Sequence, residues 1–286
     1  MKKKRIIYWS LIAALSLVIV VCVGLIAAKL IGDAQDKQEY DDLASIMESA
    51  KEEAQHTKPT APTDPVEIAP PDPTIPDSPT GTTNPTAPRP TIPVSDMLYE
   101  YQLLYELNTD MVGWISIEGT EINYPVVQSL HEPNFYLRRN FYKEKATCGT
   151  IYAREACNIN TPSDNVTLYG HNMRNGTMFA DLHNYEDPAF WANNRFVQFN
   201  TLKEYHTYEI FAVFKTSATL GEGFRYHLFE TAETPAEFDN FVAECKRLSY
   251  YDTGITPQYG EKLLTLSTCD KSIDNGRMVV VARRLY

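Results

Sequence analysis

Residues 263–269 read Leu-Leu-Thr-Leu-Ser-Thr-Cys, an apolar run that contains β-branched residues. Such a run predicts a core strand, and this one ends on the thiol of Cys269. Asn275-Gly276 indicates a turn, and residues 277–282, which begin with Arg277, predict the next strand. Two neighbouring strands of this kind would bring Cys269 and Arg277 to one end of one sheet.

A thiol beside a fixed cation is suited to nucleophilic chemistry, because positive charge favours the thiolate, which is the attacking species. The alternative is that Cys269 is a small buried residue, since cysteines commonly pack as hydrophobes. Two further observations bear on this choice: whether a second reactive group reaches the same edge, and in which compartment the chain works.

The N-terminus has the pattern of a membrane anchor. Residues 1–5 form a basic tail, residues 6–28 contain no charged side chain, and several aspartates follow. The apolar run is long enough to span a bilayer. Since positive charge stays on the cytoplasmic side, we expect a single-pass protein of the cell membrane with a cytoplasmic N-terminus and an extracellular remainder. A cleaved signal peptide, with its cleavage site at Ala27-Ala28, is the alternative.

Two segments separate this predicted anchor from the rest of the chain. Residues 29–56 are highly charged and predict a short helical stalk, or else a self-association seam. One helical face of the stalk carries its apolar residues, namely Tyr40, Leu43, Ile46, Met47 and Ala50. Residues 57–94 form a linker rich in proline and threonine, which cannot bury enough apolar surface to fold. We expect either a stiff spacer that holds the domain away from the bilayer or a linker of no set length.

The folded domain is predicted to comprise residues 95–286. Short alternating runs bounded by turn residues indicate many strands, whereas few helices are predicted. Ser95 is the predicted N-cap of a first helix, and Thr234-Pro235-Ala236-Glu237 is a capping box that opens another, which runs to about Leu248. The predicted fold class is therefore mainly β, a barrel or a sandwich with appended helices.

Composition excludes some functions. The net charge of −11, with no basic patch in the exported part, excludes nucleic acid as an expected partner. The cysteines do not have the dense, evenly paired pattern of a disulfide-stapled fold. Cys148 and Cys157 could pair, although their spacing does not require it, and Cys245 is predicted to pack in a helix core. No CxxC, HExxH or Cys/His cluster indicates a metal site.

His171 is the strongest histidine candidate for a catalytic role. It follows the predicted strand 165–169 and a glycine that permits a sharp turn, so its ring can project from a strand end. Cys269 is predicted to occupy a position of the same kind. The alternative is a loop histidine on the surface. His183, on a predicted helix, and His206, in a strand pattern, are expected to have surface or core roles.

Three motifs resemble those of the sortases, the cysteine transpeptidases of Gram-positive bacteria. Residues 265–269 match the TLxTC signature of that family, residues 169–172 (Tyr-Gly-His-Asn) resemble the loop that carries its histidine, and Arg277 matches its arginine. The resemblance covers residues 95–286. It implies a sortase catalytic domain built as an eight-stranded β-barrel with appended helices. The serine in the signature and the helix at 234–248 resemble class B.

The resemblance also implies an activity. Cys269 would attack the carbonyl of the threonine in a C-terminal sorting motif of a secreted protein, forming a thioacyl-enzyme. His171 is implied as general acid and then general base, and Arg277 as the donor to the oxyanion or to the substrate backbone. The amine acceptor would be a cell-wall peptide cross-bridge or its lipid-linked precursor, so that surface proteins become anchored to the cell wall. No metal or cofactor is expected.

Four further residues are candidates for contact with the substrate. Asn134 resembles an asparagine near the class B active site, or else is an exposed turn residue. Ser267 and Thr268 precede the thiol and either line the groove or simply belong to the strand. The backbone N–H of Asp270 is a candidate second oxyanion donor.

Two other functions fit the same residues. An extracellular cysteine protease would use Cys269 and His171 but resolve the acyl-enzyme with water. A papain-type order is disfavoured, because there the cysteine precedes the histidine. A non-catalytic surface-binding module, anchored in the membrane, would retain Cys269 as a structural residue.

Overall fold

A computed structural model describes residues 2–56 and 92–286. The eight strands of this part form a closed barrel in the order β1-β2-β3-β4-β7-β8-β6-β5. Their bounds are β1 Met111–Ser116, β2 Asn123–Val127, β3 Ile151–Ala153, β4 Asn165–Tyr169, β5 Phe196–Thr201, β6 Thr207–Ser217, β7 Leu263–Asp270 and β8 Gly276–Arg284. The predicted eight-stranded barrel is thereby confirmed, and a sandwich is excluded.

Helices lie outside this barrel. The α-helices are α1 Lys2–His56, α2 Tyr99–Leu107, α3 Pro188–Asn193 and α4 Pro235–Leu248. Short 3-10 helices cover Val94–Asp96, Phe135–Arg138, Ala180–Glu186 and Tyr226–Leu228. Within the described ranges, α1 is the one helix long and apolar enough to cross a membrane.

Strand β7 is the strand on which the site is built. It pairs in parallel with β4 and antiparallel with β8. The hairpin β7–β8 follows from the sequence, because two apolar runs flank the Asn275-Gly276 turn. The parallel partner β4 comes from a distant part of the chain. A parallel pair of strands ends at the same edge of the sheet, so the segments after β4 and β7 meet there.

Apolar side chains pack on both faces of this sheet. Inside the barrel, Leu264 and Leu266 of β7 and Val280 of β8 are fully buried. On the outer face, α4 covers β6 and β8, and Cys245 is fully buried in this second core. The expectation that Cys245 is a core residue is confirmed.

Of the two predicted helix starts, the structure confirms the one at Thr234 and not the one at Ser95. Thr234 caps α4, and its hydroxyl accepts a hydrogen bond from the N–H of Glu237. The Ser95 cap is wrong, because Ser95 lies in a 3-10 turn and its hydroxyl bonds to Asp96 instead. Helix α2 begins only at Tyr99, after Leu98, without a side-chain cap.

The C-terminal part of α1 packs on the barrel domain. Tyr40, Leu43 and Met47, three residues of the predicted apolar face, are buried there. The hydroxyl of Tyr40 donates a hydrogen bond of 2.7 Å to the carbonyl of Gly149. This face is therefore covered by the chain's own domain and does not serve as a seam between copies. The reach of the segment 57–94, most of which lies outside the described residues, does not set the distance from α1 to the domain.

All five cysteines are free thiols in the structure. Cys148 and Cys157 are both buried and do not pair with each other. The thiol of Cys157 donates to the carbonyl of Asn165, 3.6 Å away, and accepts from the N–H of Thr167. Cys157 is thus a packed residue that joins its loop to β4.

Candidate active site

Cys269 lies near the end of β7 and is exposed to solvent, whereas Thr268 and Asp270 on either side are buried. This alternation is what a strand produces, since successive side chains point to opposite faces. Arg277 of β8 is the register partner of Cys269. Directly opposed residues of an antiparallel pair project from the same face with their Cβ atoms about 5 Å apart. The structure therefore brings the predicted thiol and cation together at one edge.

Arg277 is held by the turn that precedes it. Its Nη1 donates to the carbonyl of Gly276 at 2.9 Å and to that of Asn275 at 3.2 Å. Asn275 adopts a left-handed conformation with φ of 48°. Among the described residues, Nε and Nη2 of Arg277 have no acceptor, so two sides of the guanidinium remain available to a ligand.

His171 lies two residues beyond the end of the neighbouring strand β4. The β4–β7 register pairs Tyr169 with Ser267, and its continuation places His171 opposite Cys269. The hydroxyl of Thr268 donates to the carbonyl of Gly170 at 2.7 Å and fixes this alignment. Gly170 is required by space, because a Cβ there would lie 2.7 Å from Cγ of the fully buried Phe179 ring. The third predicted residue thus shares the edge with the other two.

The ring of His171 is oriented by a backbone carbonyl. Its Nε2 lies 2.7 Å from the oxygen of Leu137, in the 3-10 helix Phe135–Arg138. A carbonyl only accepts hydrogen bonds, so Nε2 carries a proton. Nδ1 is then the nitrogen that can exchange a proton with a bound substrate.

Asn134 is connected to this edge through a tyrosine. Its backbone is left-handed, with φ of 59°, and its Oδ1 accepts a 2.9 Å hydrogen bond from the hydroxyl of Tyr152. Burial raises the pKa of Tyr152, and the charges of Cys269 and Arg277 also act on that pKa. Tyr152 pairs with Tyr169, and Tyr169 pairs with Ser267, so Asn134 holds a tyrosine on the sheet face that also carries Cys269.

Ser267 and Thr268 lie beneath the site and do not line it. Both are buried, and the hydroxyl of Ser267 lies 2.6 Å from that of Tyr226. Thr268 is bound to Gly170, as described above. Their burial therefore favours the alternative in which both residues simply belong to the strand.

Asp270 has a different position from the one expected of an oxyanion donor. The carbonyl of Cys269 faces Asn172, on the β4 side of β7. The two ends of one peptide unit point in opposite directions, so the N–H of Asp270 faces the ladder with β8, where Asp270 pairs with Gly276. The carboxylate of Asp270 is buried against the ammonium of Lys215, 3.0 Å away.

Two residues that contact the Cys269 backbone were not predicted to do so. His183 was expected to have a surface or core role, and Asn172 appeared only as part of a motif. Both lie within hydrogen-bond distance of the carbonyl of Cys269. His183 reaches it from the 3-10 helix Ala180–Glu186, and no local pattern in that segment indicates the contact.

The edge therefore presents an exposed thiol, a cation opposite it and an imidazole level with it. A thiolate can attack a carbonyl, an imidazole can protonate the leaving amine, and a guanidinium can stabilise a developing oxyanion. Such an arrangement can carry out acyl transfer. Among the described residues, His183, Glu186 and Asp270 form the one cluster with metal-ligand side chains, and Lys215 bonds to both of its carboxylates.

Comparisons with known proteins identify the family of this chain. A family model described as the Sortase domain matches residues 115–285. Sortase B of Listeria monocytogenes is 38% identical over 184 residues, which are 63% of this chain and 72% of that protein. The structure of Clostridium perfringens sortase B is 33% identical with a TM-score of 0.59, and the match covers 65% of this chain and 99% of that one.

A second solved structure has the same fold at lower identity. The Staphylococcus aureus sortase B–substrate complex has a TM-score of 0.68 and 22% identity, and the match covers 89% of this chain and 98% of that chain. The barrel therefore has counterparts in known structures.

Proposed function

Because this chain belongs to the sortase family of cysteine transpeptidases, and to its class B, we propose that it joins secreted proteins to an amine of the cell wall. Its substrate is the C-terminal sorting motif of those proteins. The observation that supports this best is the exposed thiol of Cys269, paired in register with Arg277 and level with His171.

In the first half of the reaction, the sulfur of Cys269 attacks the carbonyl carbon of the threonine in the motif. The carbonyl oxygen becomes an oxyanion, which the available nitrogens of Arg277 stabilise. The proton of the Cys269 thiol passes to Nδ1 of His171, which gives it to the leaving amine as the peptide bond breaks and the C-terminal tail departs. The product is a thioacyl-enzyme at Cys269.

In the second half, an amine attacks the thioester carbonyl. His171 takes a proton from that amine, the bond from carbon to sulfur breaks, and the new amide is released. The amine belongs to a cell-wall peptide cross-bridge or to its lipid-linked precursor. The balance between this step and attack by water separates a transpeptidase from a protease.

We further propose that α1 holds the enzyme in the cell membrane as a single-pass anchor. Residues 1–5 lie in the cytoplasm, residues 6–28 cross the bilayer, and the sortase catalytic domain at 95–286 is extracellular. The apolar character of α1 and the basic residues before it support this orientation.

The test is a ligation assay with the full chain in detergent. A peptide library with a threonine before the cleavage site is incubated with and without an amine acceptor, and the products are identified by mass spectrometry. We expect ligated peptide with the acceptor and a thioacyl adduct on Cys269. The Cys269→Ala variant should form neither. Hydrolysis alone, even at high acceptor concentration, would favour the protease.

Continued processing by Cys269→Ala would remove the nucleophile from the proposal, and no processing by the wild-type chain would favour a binding module. His171→Ala and Arg277→Ala are expected to lower kcat by at least about a hundredfold, the size of effect seen when a general acid or an oxyanion donor is removed. Their melting temperatures should stay close to that of the wild-type chain, since both side chains lie at the rim of the barrel.

A further inference from the structure

A polar network lies under the nucleophile, on the side of β7 that faces β4. Nδ2 of Asn172 donates to the carbonyl of Cys269 at 3.1 Å. Nε2 of His183 lies 3.3 Å from the same oxygen and 2.9 Å from Nδ2 of Asn172. The segment after β4, the 3-10 helix Ala180–Glu186 and the end of β7 therefore meet at one backbone carbonyl.

The other side of His183 faces two carboxylates. Its Nδ1 lies 3.4 Å from Glu186 and 3.5 Å from Asp270. Carboxylates accept hydrogen bonds, so Nδ1 carries the proton, and Nε2 then accepts from Asn172. This tautomer satisfies the imidazole, the amide and the carbonyl of Cys269 at the same time.

Lys215 of β6 completes the network. Its ammonium lies 2.8 Å from Glu186 and 3.0 Å from Asp270. Although burial alone would raise the pKa of Asp270, the Ser272 hydroxyl and Lys215 lower it, so this buried carboxylate stays ionised. The ammonium bonds to both carboxylates of the cluster, which explains the cluster without a metal ion.

Asn172 directly follows His171, and the carbonyl that it holds belongs to Cys269. A bond between these two positions fixes the distance between the strand end that carries the imidazole and the strand end that carries the thiol. The preceding pair of residues, Thr268 and Gly170, is joined by a hydrogen bond of 2.7 Å. Without Asn172, the hydrogen bond from Thr268 to Gly170 would be the last one, among the described residues, that joins the end of β7 to the segment after β4.

We propose that Asn172 and His183 are positioning residues, which set the alignment of His171 with Cys269: Asn172 holds the Cys269 carbonyl, and His183 orients the amide of Asn172. This inference rests on the proposed function of Cys269 as the nucleophile. Neither side chain needs to touch the substrate. A displacement of about 1 Å between reacting groups can cost about a hundredfold in rate, so the loss of this network should be visible in kcat.

The experiment compares four variants of the full chain in the ligation assay. His183→Ala and Asn172→Ala each remove one member of the network. His183→Gln restores an acceptor for Asn172. Asn184→Ala, next to His183 on the same 3-10 helix, is the control, because Asn184 is exposed and bonds to Asp181 instead.

We expect kcat to fall by roughly tenfold to a hundredfold in both alanine variants, with KM within about twofold of the wild-type value. His183→Gln should recover most of kcat, and Asn184→Ala should match the wild-type chain. Alkylation of Cys269 by iodoacetamide should proceed at the wild-type rate, which shows that the thiol is still accessible.

Wild-type kcat in both alanine variants would overturn the proposal, as would a glutamine variant no better than alanine. If His183→Ala does not fold, Asn172→Ala carries the test, and normal kcat in that variant overturns it. Failure of the proposed function has a different signature: a wild-type chain that forms no ligated product, or a Cys269→Ala variant that still does.

Discussion

At the scale of single residues, Asn134 combines two properties that few side chains supply together. It tolerates the left-handed backbone, with φ of 59°, and it accepts the hydrogen bond of Tyr152. Asn134→Gly keeps the first property and loses the second, whereas Asn134→Ala loses both. The pair of variants therefore separates the backbone from the side chain.

We expect both variants to lower kcat/KM by a similar factor, roughly threefold to tenfold, the equivalent of one lost hydrogen bond of about 1 kcal/mol. The alanine variant should also lose about 1 to 2 kcal/mol of stability from backbone strain. Tyr152→Phe removes the same hydrogen bond and should not add to Asn134→Gly in the double variant. Full additivity would show that the two residues act independently.

Ser267 makes a second prediction at this scale, which concerns stability. Its hydroxyl is buried and lies 2.6 Å from the hydroxyl of Tyr226. Ser267→Ala leaves the buried phenol unpaired, at a cost of about 1 to 3 kcal/mol. Tyr226→Phe in the same chain removes the unpaired group and should restore part of this loss. Urea unfolding of the two single variants and the double variant measures the coupling, and a coupling near zero would contradict the contact.

At the scale of elements, the β7–β8 hairpin sets the position of Arg277 relative to Cys269. Gly276 begins β8, and a Cβ there would lie 2.7 Å from the carbonyl oxygen of Asp270 and 2.8 Å from that of Ile273. Both contacts are backbone atoms, so the hairpin would have to open to admit a methyl group. Opening would move the guanidinium away from the thiol.

Gly276→Ala should therefore lower kcat/KM by about tenfold or more. Gly221→Ala is the control, since Gly221 has a positive φ, of 86°, which Gly276 does not have, but open space around its Cβ position. That variant is expected to lose some stability and to retain activity. Equal losses of activity in the two variants would mean that general destabilisation, rather than hairpin geometry, is responsible.

Part of this site could be predicted from the sequence, and part could not. Cys269 ends an apolar run, His171 follows one after a glycine, and Arg277 begins one, so their placement at strand ends could be predicted from local pattern. The closed barrel was implied by resemblance to a family and not by periodicity. The contact of His183 with Cys269 depends on where a 3-10 helix packs, and no pattern within that helix encodes it.

Strand β6 and the start of α2 differ from the prediction for identifiable reasons. Residues 205–210 and 212–217 are two alternating runs, which predict two strands, but the structure has one strand, Thr207–Ser217, with a register irregularity between Ile210 and Ala212. A single extra residue changes the phase of the alternation, which mimics a break between two strands. Ser95 has the chemistry of a cap but lies one turn too early, in the 3-10 helix.

At the scale of the whole molecule, α1 runs as one continuous helix from its apolar N-terminal part to the part that packs on the barrel. The apolar face around Leu43 was visible in the sequence, but its partner surface was not, because β2 and the backbone at Gly149 come from distant positions. The orientation of the active site relative to α1 is fixed by packing, whatever the length of the segment 57–94.

Leu43 provides the measurement of this docking. It is fully buried between α1 and the domain, whereas Leu103, on the neighbouring helix α2, is 50% exposed. Leu43→Ala should cost about 2 to 5 kcal/mol, the range for a buried leucine, and Leu103→Ala about 0.5 kcal/mol or less. Both are read from urea unfolding of the full chain in detergent, followed by tryptophan fluorescence. Equal, small effects would mean that α1 does not pack on the barrel and that the long segment 57–94 sets the reach of the enzyme after all.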